Sequence, residues 1–245
     1  MKYNPKFTET AAGLGGFADL HPILAQLPTG EDRVQGALTV LAEMEKWLAE
    51  ITGMDAFAMQ PMAGAHGELT GVMIIAAYHR AKGNKKKYII VPDSAHGTNP
   101  ATAAIAGYEI VSIPTDKDGG IDLALLKQKL TKDVAGLMIT CPNTLGVFDP
   151  NIDQVAKMVH DVDGLMYYDG ANLNALLGRC RPGDVGFDVV HINLHKTFAT
   201  PHGGGGPGAG PVGVKEKLVP YLPTSRVKKN PDGKLSLKYD YPDSI

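Results

Sequence analysis

Five short apolar runs constrain this chain more than any other feature: "YIIVP" (88–92), "YEIVSIP" (108–114), "AGLMITCP" (135–142), "GLMYYDG" (164–170) and "DVVHINLH" (188–195). Each is bounded by turn residues and is apolar at successive positions, so both of its faces need cover. Helical patterns separate most of them, as at 122–131 and 151–162. Upstream, Val34, Leu38, Leu41, Trp47, Leu48 and Ile51 recur at helical spacing and stop at Gly53, which predicts an amphipathic helix over 31–52. "AFAMQP" then reads as a short strand, "GAHGE" as a turn and 67–82 as a second helix. Strands that need cover on both faces, alternating with helices, specify an α/β fold with a mainly parallel sheet between helical layers. A chain of 245 residues, 44% hydrophobic, suits one sizeable domain with a core of its own. A polar, proline-bearing tail is expected after about Tyr221.

Charge and cysteine content exclude several classes of function. The formal net charge is −2, and no basic run exceeds Lys85-Lys86-Lys87, which gives no footprint for nucleic acid or an anionic membrane. The apolar segment "GVMIIAAY" is far too short to span a bilayer, and "MKYNPKFTE" lacks the apolar core of a secretory leader. Two cysteines, Cys141 and Cys180, form neither a disulfide framework nor a zinc quartet, so no metal is expected and the setting reads as reducing and cytoplasmic.

In sheets of this kind the ligand sits beyond the carboxyl ends of the strands. The segments that follow the predicted strands are "AGAHGE" (63–68), "DSAHGTNP" (93–100), "PNTLGVFDP" (142–150), "DGANLNA" (169–175) and "HKTFATPHGGGG" (195–206). Together they hold small residues, imidazoles, an aspartate directly after a strand, and one lysine. Helix N-termini among small residues bind phosphate through backbone N–H groups. A lysine amine at such a place suits Schiff-base chemistry with a carbonyl. An aspartate at a strand end suits the protonated ring nitrogen of pyridoxal phosphate (PLP), which that cofactor needs to act as an electron sink. The glycine run after Lys196 carries a large entropic cost, so it marks either a close backbone approach or a slack linker. The linker reading fails because apolar "GPVGV" resumes at once, and Pro201 and Pro207 limit the slack. A dinucleotide-binding glycine motif fits poorly too, since this run follows the lysine segment instead of opening a helix in a βαβ unit.

The segments "QPMAGAHGELTG", "PDSAHGTNPATAAIAGY", "CPNTLGVFD", "YYDGANLNALLGRCRPGDVGFDVVHINLHKTF" and "PHGGGGPGAGPVGV" closely resemble the PLP-dependent P-protein family of the glycine cleavage system, in its two-subunit bacterial and archaeal form. The resemblance runs over nearly the whole chain. It implies the PLP-dependent transferase fold of the aspartate aminotransferase type (fold type I). That fold has a mostly parallel seven-stranded sheet in its large domain and active sites near a dimer interface. It also implies an activity: decarboxylation of glycine with transfer of the aminomethyl group to the lipoyl arm of H-protein. The implied partners are glycine, glycine decarboxylase subunit 1 and lipoylated H-protein, in a homodimer or heterotetramer.

Carried over position by position, the resemblance makes Lys196 the lysine that holds the cofactor, Asp169 the partner of its ring nitrogen and His96 the residue stacked on the ring. Asn172 is placed at the ring's phenolic oxygen, and Gly64, Ala65 and His66 in the phosphate cradle. Thr144, His195 and His202 are placed on the substrate side. Residues 1–221 become the cofactor-binding large domain, with 1–30 as an N-terminal arm and 222–245 as the start of a C-terminal domain. Against the family, "MKYNP" and "YDYPDSI" both fall inside a longer subunit, so a C-terminal domain that helps to close the site is expected from elsewhere. A catalytic subunit and a cofactor- or partner-binding fragment without turnover of its own therefore both stay open. A fold type I aldolase or lyase acting on amino acids is a third reading.

Overall fold

The structure is a computed structural model that describes residues 30–198, 200 and 208–245. Seven strands form one sheet: β1 (Ala56–Ala58), β2 (Tyr88–Pro92), β3 (Glu109–Ile113), β4 (Val134–Thr140), β5 (Leu165–Gly170), β6 (Val189–Ile192) and β7 (Val212–Val214). Their order is β1-β7-β6-β5-β4-β2-β3. The pairings from β6 through β5, β4 and β2 to β3 are all parallel, whereas β7 runs antiparallel to both of its neighbours. The helices are α1 (Gln35–Thr52), α2 (Gly64–Ala81), α3 (Thr98–Ile105), α4 (Leu123–Lys129), α5 (Ile152–His160) and the single turn α6 (Leu194–Thr197).

The continuous apolar runs are explained by two cores, one on each face of the sheet. Ile90, Leu137, Ile139, Tyr168 and Val190 point to one side, against Leu48 of α1, Leu126 of α4 and Val155 and Val159 of α5. Ile89, Val91, Met138, Tyr167 and Val189 point to the other, against Val72, Ile74 and Ile75 of α2 and Ala103 of α3. Neighbouring residues such as Tyr167 and Tyr168 thus enter opposite cores, as the two-residue period of a strand requires. Local signals fix several element ends. Gly53 stops α1 with φ +69°, a left-handed conformation that glycine adopts without a Cβ penalty. Asp122 starts α4 by accepting from the amides of Ala124 and Leu125.

Three details depart from the sequence reading. The "GAHGE" segment is no turn, because α2 already begins at Gly64. The run 188–195 ends as strand at Ile192, and Leu194 and His195 belong to α6. The segment after Tyr221 contains a hairpin, β8 (Arg226–Lys229) with β9 (Leu235–Lys238). That hairpin is fixed to the start of α1, where Gln35 both donates to the carbonyl of Leu235 and accepts from its amide. No helix among the described residues is long and apolar enough to cross a membrane. His202 and the glycine run at 203–206, with Pro201 and Pro207, lie outside the described residues, as does 1–29 of the expected N-terminal arm.

Asp188, 4% exposed, holds the start of β6 to its surroundings. Its carboxylate accepts from the Met166 amide at 2.8 Å, from His160 at 2.8 Å and from Lys217 at 2.7 Å. Burial pushes this carboxyl up, but these donors outweigh it and hold it below the usual carboxylate range. A carboxyl lowered by folding adds stability above its unfolded value, and that stability is lost as pH falls through the folded value. Asp188→Asn is therefore expected to cost roughly 2 kcal/mol at neutral pH. It should also flatten the acid limb of the stability curve, as urea unfolding between neutral and acidic pH would show.

Candidate active site

At the carboxyl ends of the parallel strands lies a cleft of about 230 Å³. Its lining includes Gly64 and Glu68 of α2, His96, Thr140 at the end of β4, Asp169 near the end of β5, and Lys196 on α6. The register builds its floor. Thr140 is paired with Asp169, and Asp169 with His191, directly across β4, β5 and β6. Side chains at such paired positions of parallel strands share one face, so hydroxyl, carboxylate and imidazole come side by side.

Asp169 is 4% exposed and accepts from three directions. The Thr140 hydroxyl donates to Oδ2 at 2.9 Å and the Ala171 amide to Oδ1 at 3.1 Å. His191 Nε2 lies 3.5 Å from Oδ1. Thr140 in turn accepts from the His96 amide at 3.0 Å, which ties the loop before α3 to the carboxylate. His191 is 1% exposed, and its Nδ1 is 2.6 Å from the Tyr167 hydroxyl. Burial pushes the imidazole down against the opposing pull of Asp169, and pushes the Tyr167 phenol well up. A neutral imidazole that accepts at Nδ1 carries its proton at Nε2, on the side of Asp169. Tyr167 thereby selects the His191 tautomer that faces the carboxylate with a donor.

The opposite wall is the N-terminus of α2. Ala63 gives it no side-chain cap, so the first-turn N–H groups have no partner from that side chain. Gly64 is required by proximity: a Cβ there would stand 2.5 Å from the Asn193 amide nitrogen. Asn193 is 6% exposed and its Oδ1 has no hydrogen-bond partner among the described residues. Lys196 is exposed in the cleft, one helical turn beyond β6. An 18-residue helix with open N–H groups, a carboxylate surrounded by donors and an exposed amine form a donor set that fits the phosphate, ring nitrogen and aldehyde of PLP. A larger groove of about 580 Å³ runs between α2 and the last residues of the chain, lined mainly by side chains such as Met73, Ile105 and Tyr221, without this constellation.

The family model for the glycine cleavage system P-protein matches residues 27–236. The chain belongs to the P-protein family. It is 60% identical over 246 residues to a probable glycine dehydrogenase (decarboxylating) subunit 2 from Caldanaerobacter subterraneus subsp. tengcongensis, covering 100% of this chain and 50% of that protein. The chain thus spans about half the length of the curated relatives it matches. Among solved structures it is similar to an inhibitor-bound glycine decarboxylase (P-protein) of the glycine cleavage system. That match has a TM-score of 0.74 and 21% identity, over 97% of this chain and 52% of the other. It is also similar to Oryza sativa TDC with PLP and tryptamine, with a TM-score of 0.59 and 20% identity, over 79% and 45% of the two chains. These likenesses establish the PLP-dependent fold type I architecture, with its mostly parallel seven-stranded sheet.

Of the residues singled out from sequence, the P-protein fold brings Lys196, Asp169, His96, Asn172, Gly64 and Ala65 to one cleft. Asn172 also closes a local turn, accepting from the Asn174 amide. His66 is exposed on the first turn of α2 and is not among the cleft's lining residues. The Thr144 hydroxyl donates to the Ser94 carbonyl, outside that lining. His195 is 8% exposed and accepts at Nδ1 from the Ala209 amide, bracing the chain that leads into β7. Burial pushes the Cys141 thiol up to about 11, which makes it an apolar filler and no nucleophile. Glu68, Thr140, His191 and Asn193 escaped the sequence reading. Strand register would have pointed to Thr140 and His191, since each sits opposite Asp169 once neighbouring strands are aligned. Tyr167→Phe should cost about 1 kcal/mol in denaturant unfolding, the usual worth of one buried hydrogen bond. Nitrogen-15 NMR should show His191 no longer held in the Nε2–H form.

Proposed function

We propose that this chain supplies the PLP-binding large domain of a glycine decarboxylase. In the assembled enzyme it would decarboxylate glycine and pass the aminomethyl group to the lipoyl arm of H-protein, with subunit 1 as partner in a homodimer or heterotetramer. One observation carries the reading: Lys196, Asp169 and His96, from three different strand ends, meet in one cleft at the N-terminus of α2. Family membership and the names of the relatives support the substrate. The sheet and its helices, through Tyr221, form the cofactor-binding large domain, with 222–245 as the first part of a further domain. Both cysteines are free thiols, which suits a reducing setting such as the cytoplasm.

The roles that the resemblance gives these residues fit their surroundings. The first-turn N–H groups of α2, at Gly64, Ala65 and His66, would receive the phosphate, with the helix dipole behind them. The Lys196 amine would hold the cofactor by its aldehyde carbon. Asp169 would hold a proton at the ring nitrogen, and its own donors, Thr140, Ala171 and His191, fix it for that task. When bound, PLP supplies the electron sink for the bond that loses CO2. His96 would cover one face of the ring and Asn172, in the same lining, would meet its phenolic oxygen. Thr144, His195 and His202 belong to the substrate side of the proposal. There His195 acts by holding the backbone at Ala209, and Thr144 by holding that at Ser94.

Two measurements test this reading. Borohydride reduction of the PLP-loaded protein followed by peptide mapping should place the pyridoxyl adduct on Lys196, and an adduct on another lysine would overturn the assignment. In the assembled enzyme, Asp169→Ala should lower release of labelled CO2 from carboxyl-labelled glycine by orders of magnitude, each ~1.4 kcal/mol of barrier being tenfold in rate. Near-normal turnover would remove Asp169 from the proposed role.

A further inference from the structure

Glu68 is a buried carboxyl that the proposed chemistry does not use. It sits on α2 beneath the cleft, 3% exposed, and lines the cavity. Its Oε2 is 2.8 Å from the Thr98 hydroxyl, and that hydroxyl is 2.8 Å from His96 Nδ1. The Thr98 amide nitrogen approaches the same Nδ1 at 3.3 Å. Glu68 Oε1 has no hydrogen-bond partner among the described residues.

The hydrogens in this chain follow from a count of donors and acceptors. A backbone N–H can only donate, so His96 Nδ1 is the acceptor and the ring proton sits at Nε2. The short contact between that bare nitrogen and the Thr98 hydroxyl then takes the hydroxyl's one hydrogen. Nothing is left on Thr98 to donate to Glu68, so the hydrogen between Oγ1 and Oε2 comes from Glu68. We propose that Glu68 is a neutral carboxylic acid which donates to Thr98 and, through it, fixes His96 as the Nε2–H tautomer. Glu68 is thus a positioning residue for the wall of the cleft. The reverse arrangement, with His96 donating from Nδ1 and Thr98 donating to a carboxylate, sets the Thr98 amide N–H against another N–H. It also leaves a buried carboxylate with only the Thr98 and Thr102 hydroxyls to offset its charge and with Oε1 outside hydrogen-bond distance of any donor among the described residues, which is among the costlier defects a core can hold.

The groups facing Glu68 agree. Burial pushes its carboxyl up and the charge of Asp169 adds to that, while the Thr98 and Thr102 hydroxyls pull against it, as His96 would only with a charged ring. The bearing of this arrangement on catalysis rests on the cleft being the cofactor site; the proton count does not.

The test uses the chain free of PLP, with carbon-13 glutamate and nitrogen-15 histidine labels, and Glu68→Gln to assign the band. Isotope-edited infrared spectra at neutral pH should show one carboxylic-acid carbonyl band that Glu68→Gln lacks. NMR should show His96 with a bare Nδ1. As pH is raised until that band disappears, the His96 Nδ1 signal should move with it, because the ionised carboxylate reclaims the Thr98 hydrogen. In Glu68→Gln, whose amide N–H donates to Thr98 at every pH, Nδ1 should stay fixed over the same range. An ionised Glu68 at neutral pH, or a His96 signal indifferent to loss of the band, would overturn the proposal. A separate PLP titration keeps the two ideas apart. A chain that shows the acid band but takes up no PLP would remove the cofactor reading and leave the proton count standing.

Discussion

The Asp169 carboxylate is the interaction on which the rest of the site depends, and strand register puts it there. Thr140, Asp169 and His191 are direct partners across three parallel strands, so their side chains share one face at the carboxyl end of the sheet. A one-residue slip of either neighbour would turn its polar group into the opposite apolar core and leave Asp169 buried without that donor. Apolar residues on both faces, such as Met138 on the face of Thr140 and Tyr168 on the opposite one, hold the register. The hydrophobic cores therefore do more than stabilise the sheet: they align the polar floor of the cleft.

The walls of the cleft depend on close backbone approach. The start of α2 lies against Asn193 at Gly64, and the chain returning toward β7 lies against the same helix start at Gly210, where a Cβ would meet the Ala63 carbonyl. The Gly210 amide donates to the Pro61 carbonyl at 2.9 Å, which fixes that approach. These contacts aim the open N–H groups of a long helix at the cleft beside Lys196. A helix end directed into a polar cavity is ready to receive an anion, since its partial positive charge has no competing side-chain cap.

Two carboxyl groups line the cleft in opposite circumstances. Asp169 is surrounded by donors, whereas Glu68 has one oxygen on a hydroxyl that is already committed and another with no partner. Each acts on an imidazole. Tyr167 and Asp169 fix His191 from below, while Thr98 and Glu68 fix His96 at the wall. One carboxyl kept for charge and another kept for a proton, a few residues apart in space, is a pattern that low-dielectric sites allow and water does not.

The sequence by itself determined the fold class, because runs such as "YIIVP" and the "LMYY" of "GLMYYDG" are apolar at successive positions and need cover on both faces. It also singled out Lys196, Asp169 and His96, since strand-end residues of a parallel sheet converge wherever the strands lie. The wording of "NLHKTF" and "PHGGGG" carried the family. Local pattern failed where tertiary contact competes with propensity. "GAHGE" looks like a turn by its glycines, yet it is helical because Gly64 and Gly67 must pass close to Asn193 and Gly210. The end of 188–195 looks like strand by its apolar residues, yet Leu194 and His195 turn into α6, where the Asn193 carbonyl accepts from the Lys196 amide. Only the tertiary structure decided that Thr140 and His191 flank Asp169, that β7 runs against its neighbours and that Glu68 reaches His96 through Thr98. The reason is physical: periodicity in a chain reports which face a residue occupies, whereas register, strand order and hydrogen-bond partners arise between segments far apart in sequence.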